Sequence, residues 1–289
     1  PEYVFTGVDN NIAFYELRNI FEKSIYISIQ KSQRDEIFFE KCKKYNHLNP
    51  QKTLKVDYMF VIGNNDTKRY SEVLKGKVKC LGSVKNNHFT NKQKNFGGKV
   101  NSIIFISANN ALNHARSFIE EEKTIFDMLY KFCSKNKIQL SLCVKNNEKY
   151  ENFYRKRLIK GAWLYKPRIN PNSTYQHILD ADMAVFIDSS LGYETIAKGI
   201  KCAVFPIVQN CFPYKGHGKI YPKNGPFWSI KFNYEIMEKI VKKVINFTEE
   251  EWKKIINDYE IQDIIHYDPG NELLKSELRH LELPFKKNH

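Results

Sequence analysis

Asp182-Met-Ala-Val-Phe-Ile-Asp-Ser-Ser-Leu-Gly-Tyr-Glu-Thr-Ile-Ala-Lys-Gly-Ile-Lys-Cys-Ala-Val-Phe-Pro206 decides the fold. It reads as strand, polar turn, short helix and strand. Met183 to Ile187 is an unbroken apolar run of buried-strand length. Asp188, Ser189 and Ser190 then bring a carboxylate and two hydroxyls to the point where a helix begins. Gly192 has no side chain to hold a ligand away from the backbone. Gly199 stands where a helix C-cap is expected, and Lys201 to Phe205 reads as the following strand. A helix N-terminus carries unpaired N–H groups and a partial positive charge, so this turn is expected to hold the phosphate of a nucleotide-activated donor. The plainer alternative is a simple cap, because Asp and Ser commonly start helices. Two serines, a glycine and Glu194 on the first turn are more polar equipment than a cap requires.

Outward from this stretch, strand and helix patterns alternate along the whole chain, which predicts an α/β protein with mainly parallel sheets. Strands are expected at 3–8, 24–29, 56–62 and 77–81, each ending in Gly or polar residues, with a helix over 12–22. Together they form one doubly wound half, whose ligands lie beyond the carboxyl ends of the strands. Lys85 to Lys99 is polar and Gly-containing and reads as a linker. A second set follows: strands at 100–107, 138–144, 162–165, 183–187 and 201–205, and helices at 124–135, 149–160, 174–179 and 234–247. Thr248 and Glu251 have capping-box spacing for another helix, and a last helix is expected over 271–283. The expected division is an N-terminal domain over 1–90, a C-terminal domain over 91–270, and a helix over 271–289 that crosses back to the first.

At 289 residues the chain can bury one large core or two ordinary ones. No apolar stretch has the length of a membrane-spanning helix, and no leader is visible; Pro1 is not an initiator methionine, so a missing leader stays open. None of the six cysteines forms a C-x-x-C pair, so zinc and redox motifs are absent and a reducing, cytoplasmic compartment is expected. The net charge of +14 has three readings: solvated lysine-rich faces, affinity for an anionic membrane or lipid-linked phosphate at its inner face, and nucleic acid. The lysines are scattered and no nucleic-acid motif accompanies them, so the third is the weakest. P-loop, dinucleotide-binding, G-x-S-x-G and H-E-x-x-H motifs are all missing.

Two such halves joined by a linker resemble the GT-B glycosyltransferases. The run Asp182-x5-Asp188-Ser189-Ser190-Leu191-Gly192-Tyr193-Glu194-x4-Gly199 is similar to their donor-binding turn, and to that of bacterial surface-carbohydrate (O-antigen or capsule) biosynthesis proteins. Three other segments share this resemblance: Asp9-Asn10-Asn11 with Phe14-Tyr15, Ile27-Ser28-Ile29-Gln30 with Arg34, and Leu81-Gly82-Ser83-Val84-Lys85-Asn86-Asn87. Ser28-Ile29-Gln30-Lys31 departs from the Gln-Asn-Gly pattern expected there.

The resemblance implies two Rossmann-like doubly wound domains facing a central cleft. It implies donor phosphate on Asp188, Ser189, Ser190, Leu191 and Gly192, and ribose hydroxyls on Glu194. Asn10, Gln30, Arg34, Lys85 and Asn86 are candidates for holding an acceptor or neutralising phosphate, as are Lys166 and Arg168. Asp9, at a strand end, is the first candidate for a general base, with helix capping as its alternative role. Glu121, Glu122 and His217 are further candidates for the chemistry. Aromatic residues from Tyr214 to Trp228 could offer faces to a sugar ring. Asp180-Ala-Asp182 spells D-x-D, but it precedes a buried strand instead of following one, so no metal is expected there.

The expected activity is metal-independent transfer of a sugar from a nucleotide-sugar to a surface glycan or lipid-linked acceptor, with no cofactor. Rival readings are a sugar-nucleotide epimerase or a glycerophosphotransferase on the same scaffold, and a non-catalytic basic binding module.

Overall fold

The computed structural model describes residues 1–90, 99–107, 119–145, 147–207 and 221–281. The chain divides into two compact units. Unit 1 comprises Pro1–Thr90 with Gln262–His289, and unit 2 comprises Asn91–Ile261.

Unit 1 begins β1 (Tyr3–Thr6), α1 (Ile12–Leu17), β2 (Ile25–Ile29), α2 (Glu36–Leu48), β3 (Lys55–Val61), α3 (Asn64–Ser71), β4 (Lys75–Cys80) and α4 (Val84–His88). The four strands are parallel and lie in the order β1-β2-β3-β4. Alternate strand residues point to opposite faces. Tyr26, Met59 and Val61 meet Phe14, Tyr15, Phe38, Phe39, Cys42 and Tyr70 from the helices on one face. Helix α1 stops at Leu17, five residues short of the sequence expectation. Arg18 pairs both carboxylate oxygens of Asp57 and donates to the Glu22 carbonyl, and Asn19 donates to the Thr53 carbonyl, so the chain turns toward β3. The sequence reading assigns no helix to α2 or α3. Asp35 caps α2 by accepting from Phe38 N at 3.1 Å. The expected linker begins as α4, with Asn86 and Asn87 buried.

Unit 2 runs β5 (Ser102–Ile106), α5 (Ile119–Lys135), β6 (Gln139–Cys143), α6 (Glu151–Arg157), β7 (Leu164–Lys166), α7 (Ser173–Leu179), β8 (Met183–Phe186), α8 (Ser190–Ala197), β9 (Lys201–Val204), α9 (Tyr234–Asn246) and α10 (Glu249–Asp258). Helix α5 starts earlier than the 124–135 expectation. Its sheet is parallel in the order β7-β6-β5-β8-β9, so the strand order reverses between β5 and β8. That reversal is the topological switch point at which open α/β sheets take their ligands. The capping box of Thr248 and Glu251 forms at the start of α10.

The aromatic stretch is partly described, and there its role differs from the expected sugar platform. Phe227 and Trp228 are fully buried. The Phe227 carbonyl accepts from Val204 N at 2.8 Å, which fastens this segment to β9. Trp228 packs edge-on to Tyr259 at 4.9 Å, and Phe227 does the same to Trp252 at 5.5 Å. These rings are core anchors, because their faces are already covered by protein.

Within α11 (Ile261–Ile264) the chain returns to unit 1, and its last described helix is α12 (Glu272–His280). His266 N donates to the Ile62 carbonyl at 2.7 Å, and Asp268 N donates to Asn87 Oδ1 at 3.0 Å. The approach is close enough to require glycine. A Cβ on Gly63 would lie 2.3 Å from the Ile264 carbonyl oxygen, and one on Gly82 would lie 2.4 Å from that of His266. Leu274, Leu278 and Leu281 then pack on Ile27, Phe60 and Tyr3 and cover the second face of the sheet.

Candidate donor turn and polar network

The candidate donor turn lies at the carboxyl end of β8, on the switch point of unit 2. Phe186 pairs with Ile106 of β5 in register, so the residues after both strands emerge side by side. Asp188 is half-buried, Ser189 is the N-cap of α8 in an extended conformation, and Ser190 opens the helix. Ser189 is 4% exposed and makes no side-chain cap bond. Its Oγ has no hydrogen-bond partner among the described residues. The first N–H groups of a helix lack an intrahelical acceptor, so Ser190 and Leu191 present theirs at the same end.

Gly192 has a different role from the expected one. A Cβ there would sit 2.4 Å from the Phe186 ring, so the glycine lets α8 pack against its own preceding strand. Glu194, two residues further, is buried and accepts from the Tyr175 hydroxyl at 2.9 Å. Burial and this carboxylate push the Tyr175 hydroxyl pKa well up. Lys198 is buried at the C-cap, and burial, opposed by the attraction of Glu194, brings its pKa down to about 8.

At the end of β5, Ser107 donates to the buried carboxylate of Glu122. Glu121 on the same helix is exposed. Asp182 lies at the opposite, amino end of β8. Its carboxylate accepts from Asn101 N, Ser102 N and Ser102 Oγ at 3.0, 2.9 and 2.9 Å, which ties β8 to the start of β5. His217 lies outside the described residues.

In unit 1 the predicted residues Asp9, Gln30 and Arg34 come together with Tyr15 and Ser28, which the sequence reading quoted without a role, and with Asp66, Arg69 and Tyr70, which it did not single out. Asp9 is fully buried. One of its oxygens accepts from Arg34 Nη2 at 2.6 Å and Lys31 N at 3.1 Å. The other accepts from Arg34 Nε and the Tyr70 hydroxyl, both at 2.6 Å. A carboxylate with four donors is a counter-ion, and it has no lone pair directed at a substrate. The general-base reading of Asp9 therefore gives way. Its capping reading does too, since Asn11 occupies the N-cap of α1.

Gln30 is likewise spent within the fold. It donates to Asp66 at 2.6 Å and to the Ser32 carbonyl at 3.1 Å, and accepts from Ile62 N at 3.0 Å. Arg69 joins Asp66 to Glu36 with bonds of 2.7 and 2.8 Å. Burial, opposed mainly by Arg69, raises the Asp66 pKa. Arg34 retains its charge because Asp9 outweighs the cost of burial. Asn10 is exposed, Lys85 is half-buried and Asn86 is buried.

These two parallel sheets with their helices are two Rossmann-like halves, as in the GT-B fold. The chain matches the family described as "putative O-antigen biosynthesis protein" over residues 29–282, and it belongs to that family. No curated protein sequence matches it.

Several solved structures share the fold. One is a "putative UDP-N-acetylglucosamine 2-epimerase" from Listeria monocytogenes, with a TM-score of 0.60 and 12% identity over 98% of this chain and 75% of that one. The S. aureus MnaA–UDP co-structure has a TM-score of 0.52 and 12% identity over 99% and 76%. The wall teichoic acid polymerase TagF with CDPG has a TM-score of 0.55 and 12% identity over 97% and 72%.

Proposed function

We propose that this chain is a glycosyltransferase of surface-carbohydrate synthesis that binds a nucleotide-sugar through the donor pyrophosphate at the N-terminus of α8. The observation that carries this reading is the buried, unpartnered Ser189 hydroxyl at the switch point of unit 2. Leaving a buried hydroxyl unsatisfied costs about 1–3 kcal/mol, and an incoming phosphate oxygen would remove that cost. The N–H groups of Ser190 and Leu191 and the helix dipole would add charge complementarity. The buried carboxylate of Glu122 disfavours a phosphate at the end of β5, which directs the anion to α8.

In the transfer, an acceptor hydroxyl oxygen bonds to the anomeric carbon and its proton passes to water or to an oxygen of the departing phosphate. The bond from that carbon to the phosphate oxygen breaks, and its electron pair stays with the departing nucleotide. Negative charge develops on the phosphate, where the fixed N–H groups and Ser189 would stabilise it without reorganising. No metal is required in this scheme. Glu194 lies four residues after Ser190, on the same helix face, and would reach the ribose hydroxyls.

The test is a thermal-shift panel of UDP, GDP, CDP, CMP and CDP-glycerol, repeated with Ser189→Ala and with Glu194→Gln, which keeps an acceptor for Tyr175. One nucleoside diphosphate should raise Tm in a concentration-dependent way, and both variants should show a smaller shift. A shift confined to CDP-glycerol would move the assignment to glycerophosphate transfer. The donor-site reading fails if no nucleotide shifts Tm, or if both variants respond like the parent.

A further inference from the structure

The opposite end of unit 1 carries a second feature that the donor site does not use. Parallel strands all start at one edge of their sheet, and here that edge is basic. Lys23 precedes β2, Lys55 opens β3 and Lys75 opens β4, with Lys55 and Lys75 paired in register. Lys77 follows on β4, its Nζ 5.5 Å from the centre of the Tyr58 ring. Arg18, Lys55, Lys75 and Lys77 line a cavity of about 480 Å³ together with Glu22 and Asp57. Asp57 is neutralised by Arg18, and among the described residues Lys23, Lys55, Lys75 and Lys77 form no ion pair. Glu2 and Glu22 are the other acidic groups at this edge.

An apolar feature adjoins it. After α1 the chain turns through Ile20 and Phe21, which are 66% and 58% exposed, and Leu17 beside them is 38% exposed. Ile20 and Phe21 line a second cavity of about 800 Å³ with Val4, Tyr26 and Lys23, and Glu22 is common to both cavities. Exposed Ile and Phe next to a row of lysines suit a surface with anionic headgroups above hydrocarbon.

We propose that this amino-end edge of unit 1 docks on an anionic lipid bilayer, with Ile20 and Phe21 entering the interface and Lys23, Lys55, Lys75 and Lys77 contacting headgroup phosphates. The arrangement favours a bilayer over a nucleic acid, because exposed aliphatic and aromatic side chains, Ile20 and Phe21, adjoin the lysines.

The full chain is sedimented with phosphatidylcholine vesicles and with vesicles containing 30% phosphatidylglycerol, by mole. It should bind the anionic vesicles alone. Lys55→Glu with Lys75→Glu, and separately Ile20→Ser with Phe21→Ser, should each lower the partition coefficient at least about tenfold. Lys131→Glu with Lys239→Glu, on exposed helix faces of unit 2, should leave it near the parental value. All these side chains are exposed or half-buried, and unchanged Tm values would show that the variants fold. Any one of three results overturns the proposal: no binding to anionic vesicles, equal loss with the unit 2 pair, or full binding by the Ile20/Phe21 variant. Retention of a labelled oligonucleotide at 150 mM salt that is lost in the Lys55/Lys75 variant, without vesicle binding, would assign the edge to nucleic acid instead.

Discussion

Two polar clusters lie beyond strand ends in this protein, and they differ in what their groups are bonded to. In unit 1, Asp9, Gln30, Asp66, Arg34 and Arg69 bond mainly to one another and to the backbone. In unit 2, the Ser189 hydroxyl is buried beside the first N–H groups of α8 with no hydrogen-bond partner among the described residues. The first cluster is built to hold loops in place. The second has unfilled hydrogen-bonding capacity of the kind an anion supplies. Polarity at a strand end is therefore a weaker sign of a ligand site than polarity that remains unsatisfied after folding.

The sharpest way to break this comparison is to cut the saturated cluster at its centre. Asp9→Ala leaves the Arg34 guanidinium, 15% exposed, without its carboxylate. Removing one member of a buried pair costs about 3–5 kcal/mol, and urea unfolding would measure it. A stability near the parental value, with activity alone lost, would return Asp9 to the role of proton acceptor.

The second prediction concerns the packing under the donor turn. Gly192→Ala drives a methyl group into the Phe186 ring and should destabilise by about 1–3 kcal/mol. Phe186→Leu in the same chain should recover part of that loss, because the two residues touch and their effects are not additive. Full additivity would mean that Gly192 is required for another reason, such as close approach of a ligand.

This contrast also explains what the sequence disclosed. The apolar run Met183–Ile187 and the serines after it reveal a strand and a helix start, because both signals are local. Gly192 is legible as a required glycine, but its partner is a ring six residues earlier, which periodicity does not show. Asp9 and Arg34 are each visible as polar residues near a strand end. Their pairing spans 25 positions, and the Tyr70 bond to Asp9 spans 61, so no local pattern carries them. Helix α2 escapes the sequence reading for a related reason. Most of its residues are polar, and Phe38, Phe39 and Cys42 form a stripe too narrow to stand out until the sheet and Tyr70 are in place beside it.

A third prediction tests the far end of α8. Lys198 has its pKa lowered to about 8 by burial. In the unfolded chain it has the ordinary value near ~10.4, so between these limits the unfolded state binds more protons. Stability lost to the buried charge is fully lost below about pH 8 and recovered as pH rises toward about 10.4. Lys198→Met should therefore be more stable than the parent at pH 7, on the order of 1 kcal/mol, and the gap should close by pH 10. A gap independent of pH would show that the ammonium is well solvated.

The smallest expected effect on stability belongs to Ser189→Ala, and it bears most directly on function. A hydroxyl that only capped α8 would take about 1 kcal/mol with it when removed. A hydroxyl with no partner has no such bond to lose, and deleting it relieves an unsatisfied group, so Tm of the free protein should stay level or rise. Nucleotide binding should weaken in the same variant, since the phosphate loses one donor while the N–H groups remain. Ser189→Thr keeps the hydroxyl and should retain more of the nucleotide shift than Ala. A fall in Tm with an unchanged nucleotide response would reduce the turn to a plain helix cap. A level Tm with a lost response would mark Ser189 as a group whose partner is the ligand.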